Sequence, residues 1–95
     1  MADTNLSLQI IPRVEDERIY PVVDEVIAMI AATGLPYSVG PMETTIEGNL
    51  EVLLDIVKKA HQICIEANAR RVFSVIKIDF RPDGVSIDEK IHKYR

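Results

Sequence analysis

The sequence predicts an α+β domain in which two helices cover one face of an antiparallel four-stranded sheet. Three observations lead to this fold class. Four short runs rich in alternating or β-branched apolar residues indicate strands, two longer segments show apolar residues at helical spacing, and turns containing Gly or Pro separate them. The 95 residues contain no linker-like stretch, so we expect one domain spanning residues 1–95.

The first strand is predicted at residues 4–12. Leu6 and Leu8 lie on one face of an alternating pattern that ends at Pro12, and Ser7 lies on the other face. The acidic segment that follows, Glu15, Asp16 and Glu17, is interpreted as a solvated loop, with a cation site as the alternative.

The first helix is predicted within residues 19–34. Pro21 suits a first helical turn, and Gly34 is the expected C-terminal stop. The residues that recur at helical spacing are Val22, Val23, Val26, Ile27 and Ile30.

An antiparallel hairpin is predicted next. Two short strand-like runs occupy residues 35–40 and 42–48, and Gly40 and Pro41 separate them with a tight connection.

A second helix is predicted at about residues 49–68, with Asn49 offering a side-chain cap. A fourth strand at residues 71–80 and a short tail helix at 86–95, capped by Ser86, complete the chain. The expected apolar stripe of the second helix comprises Leu50, Leu53, Leu54, Val57, Ala60, Cys64 and Ala67. The resulting order, β-α-β-β-α-β plus a tail helix, is the split βαβ or ferredoxin-like arrangement.

Composition and charge exclude several function classes. Cys64 is the single cysteine, so it can form neither an intrachain disulfide nor a cysteine metal cluster, and we expect a buried thiol. A net charge of −4 argues against nucleic acid or an anionic membrane as a partner. No apolar run approaches the roughly 18 residues that cross a bilayer, and the N-terminus lacks signal-peptide character, so a cytoplasmic location is expected.

This fold hosts many functions, so site residues must decide between them. A copper chaperone needs two cysteines in the first loop, and an RNA-recognition domain needs stacking aromatics on its central strands; both are absent. An acylphosphatase-like site needs a glycine-bearing phosphate loop, but Arg13 and Arg18 stand in an acidic loop without glycine. His61 and His92 lack metal-ligand spacing. We therefore expect no catalytic residues, no metal and no cofactor.

The segment GPMETTIEGN, residues 40–49, carries the strongest functional signal. Strand alternation places Glu43, Thr45 and Glu47 on one face, so that two carboxylates flank a hydroxyl just before a helix begins. Two interpretations stay open at this point: a solvated face of the sheet, or a small-molecule site.

At these residues the sequence resembles the small thiamine-binding proteins, a ferredoxin-like family that binds thiamine or its hydroxymethylpyrimidine part. The family pattern Gly-Pro-Met-x-Thr-x-x-Glu-Gly is matched by Gly40, Pro41, Met42, Thr44, Glu47 and Gly48. The "IIP" and "TGLPY" segments match as well, whereas Glu43 stands where the family commonly has glycine.

The resemblance implies a non-enzymatic binder of thiamine (vitamin B1) or hydroxymethylpyrimidine that acts as carrier, buffer or sensor. An aminopyrimidine ring needs an apolar slot with a few hydroxyls and a carboxylate at its edges. The candidate ligand-binding residues are Ser7, Tyr37, Ser38, Met42, Thr44, Thr45 and Glu47. The alternative is an amino-acid-sensing or protein-interaction module of the same fold.

The residue pattern of the predicted fourth strand indicates a homo-oligomer. Apolar residues occur on both of its faces, so some must lie on the side of the sheet that the two helices leave open. The resemblance implies a homodimer or homotetramer joined through the sheet. Alternatively, the tail helix folds back and covers that side within one chain.

Overall fold

The structure, a computed structural model, describes residues 2–95 and confirms the predicted fold class. One sheet contains β1 (Thr4–Pro12), β2 (Tyr37–Val39), β3 (Thr44–Gly48) and β4 (Val72–Phe80) in the order β2-β3-β1-β4. All three strand pairings are antiparallel. The helices are α1 (Asp16–Ala32), α2 (Leu50–Glu66) and the short α3 (Ile87–Ile91), which a 3-10 turn (His92–Tyr94) continues.

The hydrophobic core lies between the sheet and the helices α1 and α2. The central strands β1 and β3 turn Leu6, Leu8 and Ile46 toward the helices, where apolar side chains of both helices cover them. The buried apolar residues are Leu6, Leu8, Val22, Val26, Ile30, Ile46, Leu53, Ile56, Val57, Ala60, Cys64 and Ala69. The opposite surface of the sheet, which α1 and α2 leave uncovered, is called the open face below.

Helix α1 begins earlier than predicted, at Asp16, and the interpretation of the acidic segment as a loop is wrong. Glu15 takes the N-cap position, and acidic side chains in the first turn suit the positive end of the helix dipole. A backbone hydrogen bond and the neighbouring Arg18 guanidinium hold the pKa of Glu15 below its ordinary value. Pro21 therefore lies inside the helix and not in its first turn. Gly34, at a φ of +76°, follows the end of the helix as predicted.

Helix α2 is capped by a residue that the sequence did not indicate. Asn49 occupies the N-cap position as predicted, but its side chain makes no capping hydrogen bond. The Leu50 backbone N–H instead donates to Oδ1 of Asp3, at 3.1 Å. The buried stripe also differs from the prediction, because Leu54 is exposed and Ile56 is buried.

The tail helix α3 follows the edge strand β4. Ser86 caps it as predicted, since its Oγ accepts a hydrogen bond from the Glu89 backbone N–H at 3.2 Å. The tail then lies against the open face beside β3, so part of that face is covered within the chain.

Candidate functional site

Polar side chains from three neighbouring strands meet on the open face. The register of the sheet places Asn5 of β1 opposite Glu47 of β3, and Ser7 of β1 opposite Thr45 of β3. Ser38 of β2 is opposite Thr45 on its other side. Thr45 and Glu47 are half-buried, whereas their neighbours Thr44 and Ile46 are buried on the helix side, which is the alternation that the sequence predicted.

Glu47 joins the tail helix to this polar row. Its Oε1 accepts a hydrogen bond of 2.6 Å from the backbone N–H of Ile87, the first residue of α3. One turn later, Lys90 of α3 forms an ion pair of 2.6 Å with Asp79 of β4. Two polar contacts therefore hold α3 against the open face.

A cavity of about 300 Å³ lies between the open face, the β2–β3 turn and the tail. It is named the open-face cavity here, and its volume is at the lower end of the range for small-molecule sites. The sheet contributes Asn5, Ser38 and Thr45, the turn contributes Gly40, Pro41 and Glu43, and the tail contributes Ile87, Lys90, Ile91 and Arg95.

The open-face cavity combines the groups that a small polar heterocycle requires. The hydroxyls of Ser38 and Thr45 can donate or accept hydrogen bonds, and the side chains of Ile87 and Ile91 offer apolar contact. Glu43 brings a carboxylate that makes no ion pair within the described residues 2–95. Such a lining can hold a flat ring by its faces and its edges.

Asn5 is a cavity residue that the sequence analysis did not identify. Only 4% of its surface is exposed. Its Nδ2 donates to the Thr4 carbonyl oxygen at 3.3 Å and to Glu47 Oε1 at 3.4 Å. Within residues 2–95, its Oδ1 has no hydrogen-bond partner. The available signal was an asparagine in a predicted strand, a position where this residue is depleted.

A second cavity, of about 280 Å³, lies on the helix side between α1, β1 and the same β2–β3 turn. Its lining is mainly apolar and includes Leu8, Val26, Met42 and Thr44. We call it the helix-side cavity. The turn residues Gly40, Pro41 and Glu43 border both cavities.

The sheet divides the predicted ligand-binding residues into two groups. Ser38 and Thr45 line the open-face cavity, and Ser7 and Glu47 share that face without lining the cavity. The others lie on the helix side. Met42 and Thr44 line the helix-side cavity, while Tyr37, the partner of Ile46 in the sheet, is exposed and lines neither. No single cavity contains the complete predicted set.

The remaining reactive groups have structural contacts elsewhere. His61 on α2 donates from Nδ1 to the Val57 carbonyl, and its Nε2 lies 3.0 Å from Ser74 Oγ on β4. Cys64 is fully buried in the core, as predicted, and burial raises the pKa of its thiol. The Arg18 guanidinium donates to the Ala67 carbonyl.

The part of the chain that the structure describes contains neither a metal-binding cluster nor a membrane-crossing helix. Among residues 2–95, no three His, Cys, Asp or Glu side chains gather closely enough to hold a metal ion. None of the helices in these residues has the length and apolar composition needed to cross a membrane.

Comparison with known proteins identifies the family. The sequence model of the thiamine-binding protein family matches residues 6–95. The chain belongs to the thiamine-binding protein family. Its predicted relationship is therefore confirmed, and the match includes the strands β2, β3 and β4, the helices and β1 from Leu6 onward.

Several known proteins resemble this chain over almost their full length. A UPF0045 protein of Clostridium perfringens is 57% identical over 95 residues, which is 100% of both chains. A domain of unknown function, DUF77, from Bacillus cereus is 46% identical with a TM-score of 0.90, over 99% of this chain and 91% of that one. A candidate thiamine biosynthesis/salvage protein from Thermotoga maritima is 38% identical with a TM-score of 0.88, over 98% and 99%.

Proposed function

We propose that the chain binds thiamine or its hydroxymethylpyrimidine part in the open-face cavity, as a non-enzymatic carrier, buffer or sensor. One observation carries the choice of cavity: hydroxyls, a carboxylate and isoleucine side chains line the same 300 Å³ space. The helix-side cavity is mainly apolar and offers fewer partners for the polar edge of an aminopyrimidine. Membership of the thiamine-binding family supports the ligand class.

The composition of the cavity lining supports binding without catalysis. Within the described residues, the lining of the open-face cavity contains no histidine and no cysteine, the side chains that serve most often as general base or thiol nucleophile. Thiamine recovered after incubation with an equimolar amount of the protein should be chemically unchanged by chromatography and mass spectrometry. A new product that forms with the native protein would show an enzyme.

Thermal unfolding with increasing ligand tests the proposal. A ligand that binds only the folded state at 100 times its Kd stabilises it by about 2.7 kcal/mol, which should raise the Tm of a domain this size by roughly 10 °C or more. Thiamine, hydroxymethylpyrimidine and the thiamine phosphates are compared with the twenty amino acids. An effect of an amino acid, with none from the thiamine compounds, would favour the amino-acid-sensing alternative.

The proposal includes a homodimer or homotetramer formed through the sheet. On the open face, α3 covers the side of β3, but Ile11, Phe73 and Val75 stay uncovered; Phe73 is 59% exposed and Val75 is 45% exposed. Ile11 and Phe73 are direct partners in the β1–β4 pairing, so these three side chains form one apolar patch. Burial in a second copy would remove this patch from water.

The outer edge of β4 offers a second route to assembly. β4 is a nine-residue edge strand that pairs only with β1 among the described strands. A strand of this length with an unpaired outer edge can add to the sheet of another copy. The cytoplasmic location and the absence of nucleic acid and membrane partners stay predictions from the sequence.

A further inference from the structure

We propose that Asn5 selects the ligand, because its Oδ1 accepts a hydrogen bond from an exocyclic amine on the bound heterocycle. This inference rests on the proposed function, since it concerns the same cavity. Asn5 lines the open-face cavity, is 4% exposed, and has an Oδ1 without a partner in residues 2–95. Buried side-chain oxygens in folded proteins are nearly always hydrogen-bonded, so this oxygen indicates a group that the chain itself does not supply.

The surroundings of Asn5 fix which end of its amide is free. Nδ2 lies between two acceptors, the Thr4 carbonyl oxygen and the Glu47 carboxylate. Rotating the amide by half a turn would place Oδ1 against both oxygens and would lose both hydrogen bonds. The free atom is therefore an acceptor, and no donor within residues 2–95 reaches it.

The hydroxyls next to Asn5 determine which other groups the ligand must carry beside its amine. Thr45 is the diagonal neighbour of Asn5 on the open face, and Ser38 lies beside Thr45 on the next strand. Either hydroxyl can donate to a ring nitrogen while Asn5 accepts from an amine. An amine next to a ring nitrogen is the edge of a 4-aminopyrimidine, the ring of thiamine. The ligand class is thus a heterocycle with this amine, and the 4-oxo form of the same ring is rejected.

The first test uses the native protein and changes only the ligand. Oxythiamine replaces the 4-amino group of thiamine by a carbonyl oxygen, so it would bring an acceptor against Asn5 Oδ1. Calorimetry should show that oxythiamine binds at least roughly tenfold more weakly than thiamine, since a buried acceptor loses its donor. Equal affinities would overturn the inference while leaving the proposed function intact. Absence of binding of both thiamine and hydroxymethylpyrimidine would overturn both.

The second test assigns the selectivity to Asn5. Asn5→Leu keeps a similar volume but has no acceptor, so it should bind thiamine more weakly and bring the ratio of the two affinities close to one. Asn68→Gly is the control, because it also loses an amide, at an exposed position whose φ of 67° suits glycine. The control should keep the native ratio.

The ligand preference of the Asn5→Leu protein can contradict the role of Asn5. A folded Asn5→Leu protein that keeps the native preference for thiamine would show that another group, or an ordered water on Oδ1, makes the selection. If Asn5→Leu does not fold, Asn5→Ala, which also lacks an acceptor, is measured in the same way. The comparison of ligands on the native protein still decides whether the protein distinguishes the amine from the carbonyl.

Discussion

Glu47 and Ile87 are joined by a hydrogen bond of 2.6 Å, in which the backbone N–H at the start of α3 donates to the Glu47 carboxylate. The same carboxylate oxygen lies 3.4 Å from Asn5 Nδ2. One side chain on β3 thus holds the tail over the open face and orients the amide of Asn5. Glu47 supports both walls of the open-face cavity without lining it.

Glu47→Gln is expected to weaken thiamine binding roughly ten- to a hundredfold, because it weakens the charge-assisted hydrogen bonds to Ile87 and Asn5. Calorimetry measures the affinity, and trypsin cleavage after Lys90 measures how firmly the tail is held. Glu66→Gln is the matched control, since within residues 2–95 the Glu66 carboxylate hydrogen-bonds only with the exposed Gln62 side chain. Unchanged affinity in a folded Glu47→Gln protein would contradict this role.

Adjacent threonines allow the two cavities to be distinguished. Thr45→Val removes a hydroxyl from the open-face cavity and should weaken binding roughly three- to tenfold, the effect of one lost hydrogen bond. Thr44→Val makes the same change on the other face of β3, where Thr44 is 6% exposed and lines the helix-side cavity. It should leave the affinity unchanged. Weaker binding by Thr44→Val with unchanged binding by Thr45→Val would show that the ligand binds in the helix-side cavity.

Glu43→Gln tests where the thiazolium ring of thiamine lies. Glu43 is half-buried at the border of the cavity, so its attraction for a positive charge is screened by water, and the variant should bind thiamine roughly two- to fivefold more weakly. Hydroxymethylpyrimidine has no thiazolium and should bind the variant and native proteins equally. Glu51→Gln, an exposed change on α2, is the control. An equal loss for both ligands would place Glu43 at the pyrimidine instead.

Local patterns in the sequence were sufficient to predict the strands and to assign the residues of each strand to its two faces. The alternation that separates Thr44 from Thr45 is a property of any extended chain, and it holds in the structure. The start of α1 was missed because the pattern near Pro21 was interpreted as a first turn, although Glu15 and the acidic first turn favour an earlier start.

The cavity could not be derived from such patterns, because its contacts join residues far apart in sequence. The Glu47–Ile87 hydrogen bond spans 40 residues, and the Asp3–Leu50 bond that replaces the expected Asn49 cap spans 47. No periodic pattern in the sequence indicates either of these hydrogen bonds. The resemblance supplied the expected ligand class, whereas the position of the tail and the buried state of Asn5 required the structure.

Cys64 is expected to make stability depend on alkaline pH. Burial, with a smaller effect of Glu25, raises the pKa of its thiol above the ordinary value of 9.0. Above that pH the unfolded chain releases the proton that the folded chain retains, so the free energy of unfolding falls as pH rises. Cys64→Ala lacks this group and should be less stable at pH 7 because of the lost packing. Urea unfolding should show the difference narrowing toward pH 10; a constant difference would contradict the prediction.

The face through which copies assemble can be determined with two neighbouring residues of β4. Val75 belongs to the apolar patch on the open face, whereas Ile76, also exposed, lies on the helix side opposite Leu8. Light scattering at micromolar concentration should give a multiple of the 10.7 kDa chain mass for the native protein. Val75→Glu should reduce it to the monomer if the open faces stack, because a carboxylate buried without a partner opposes association.

Ile76→Glu makes the same change on the other side of the strand and serves as the matched comparison. If assembly depends on Ile76 and not on Val75, the copies meet through the helix side of β4. If both variants stay assembled, pairing through the strand edge remains, and Ile78→Pro, which removes a backbone donor from the outer edge of β4, should then separate the copies. A native mass of 10.7 kDa would contradict the oligomer and leave the patch of Ile11, Phe73 and Val75 exposed on a monomer.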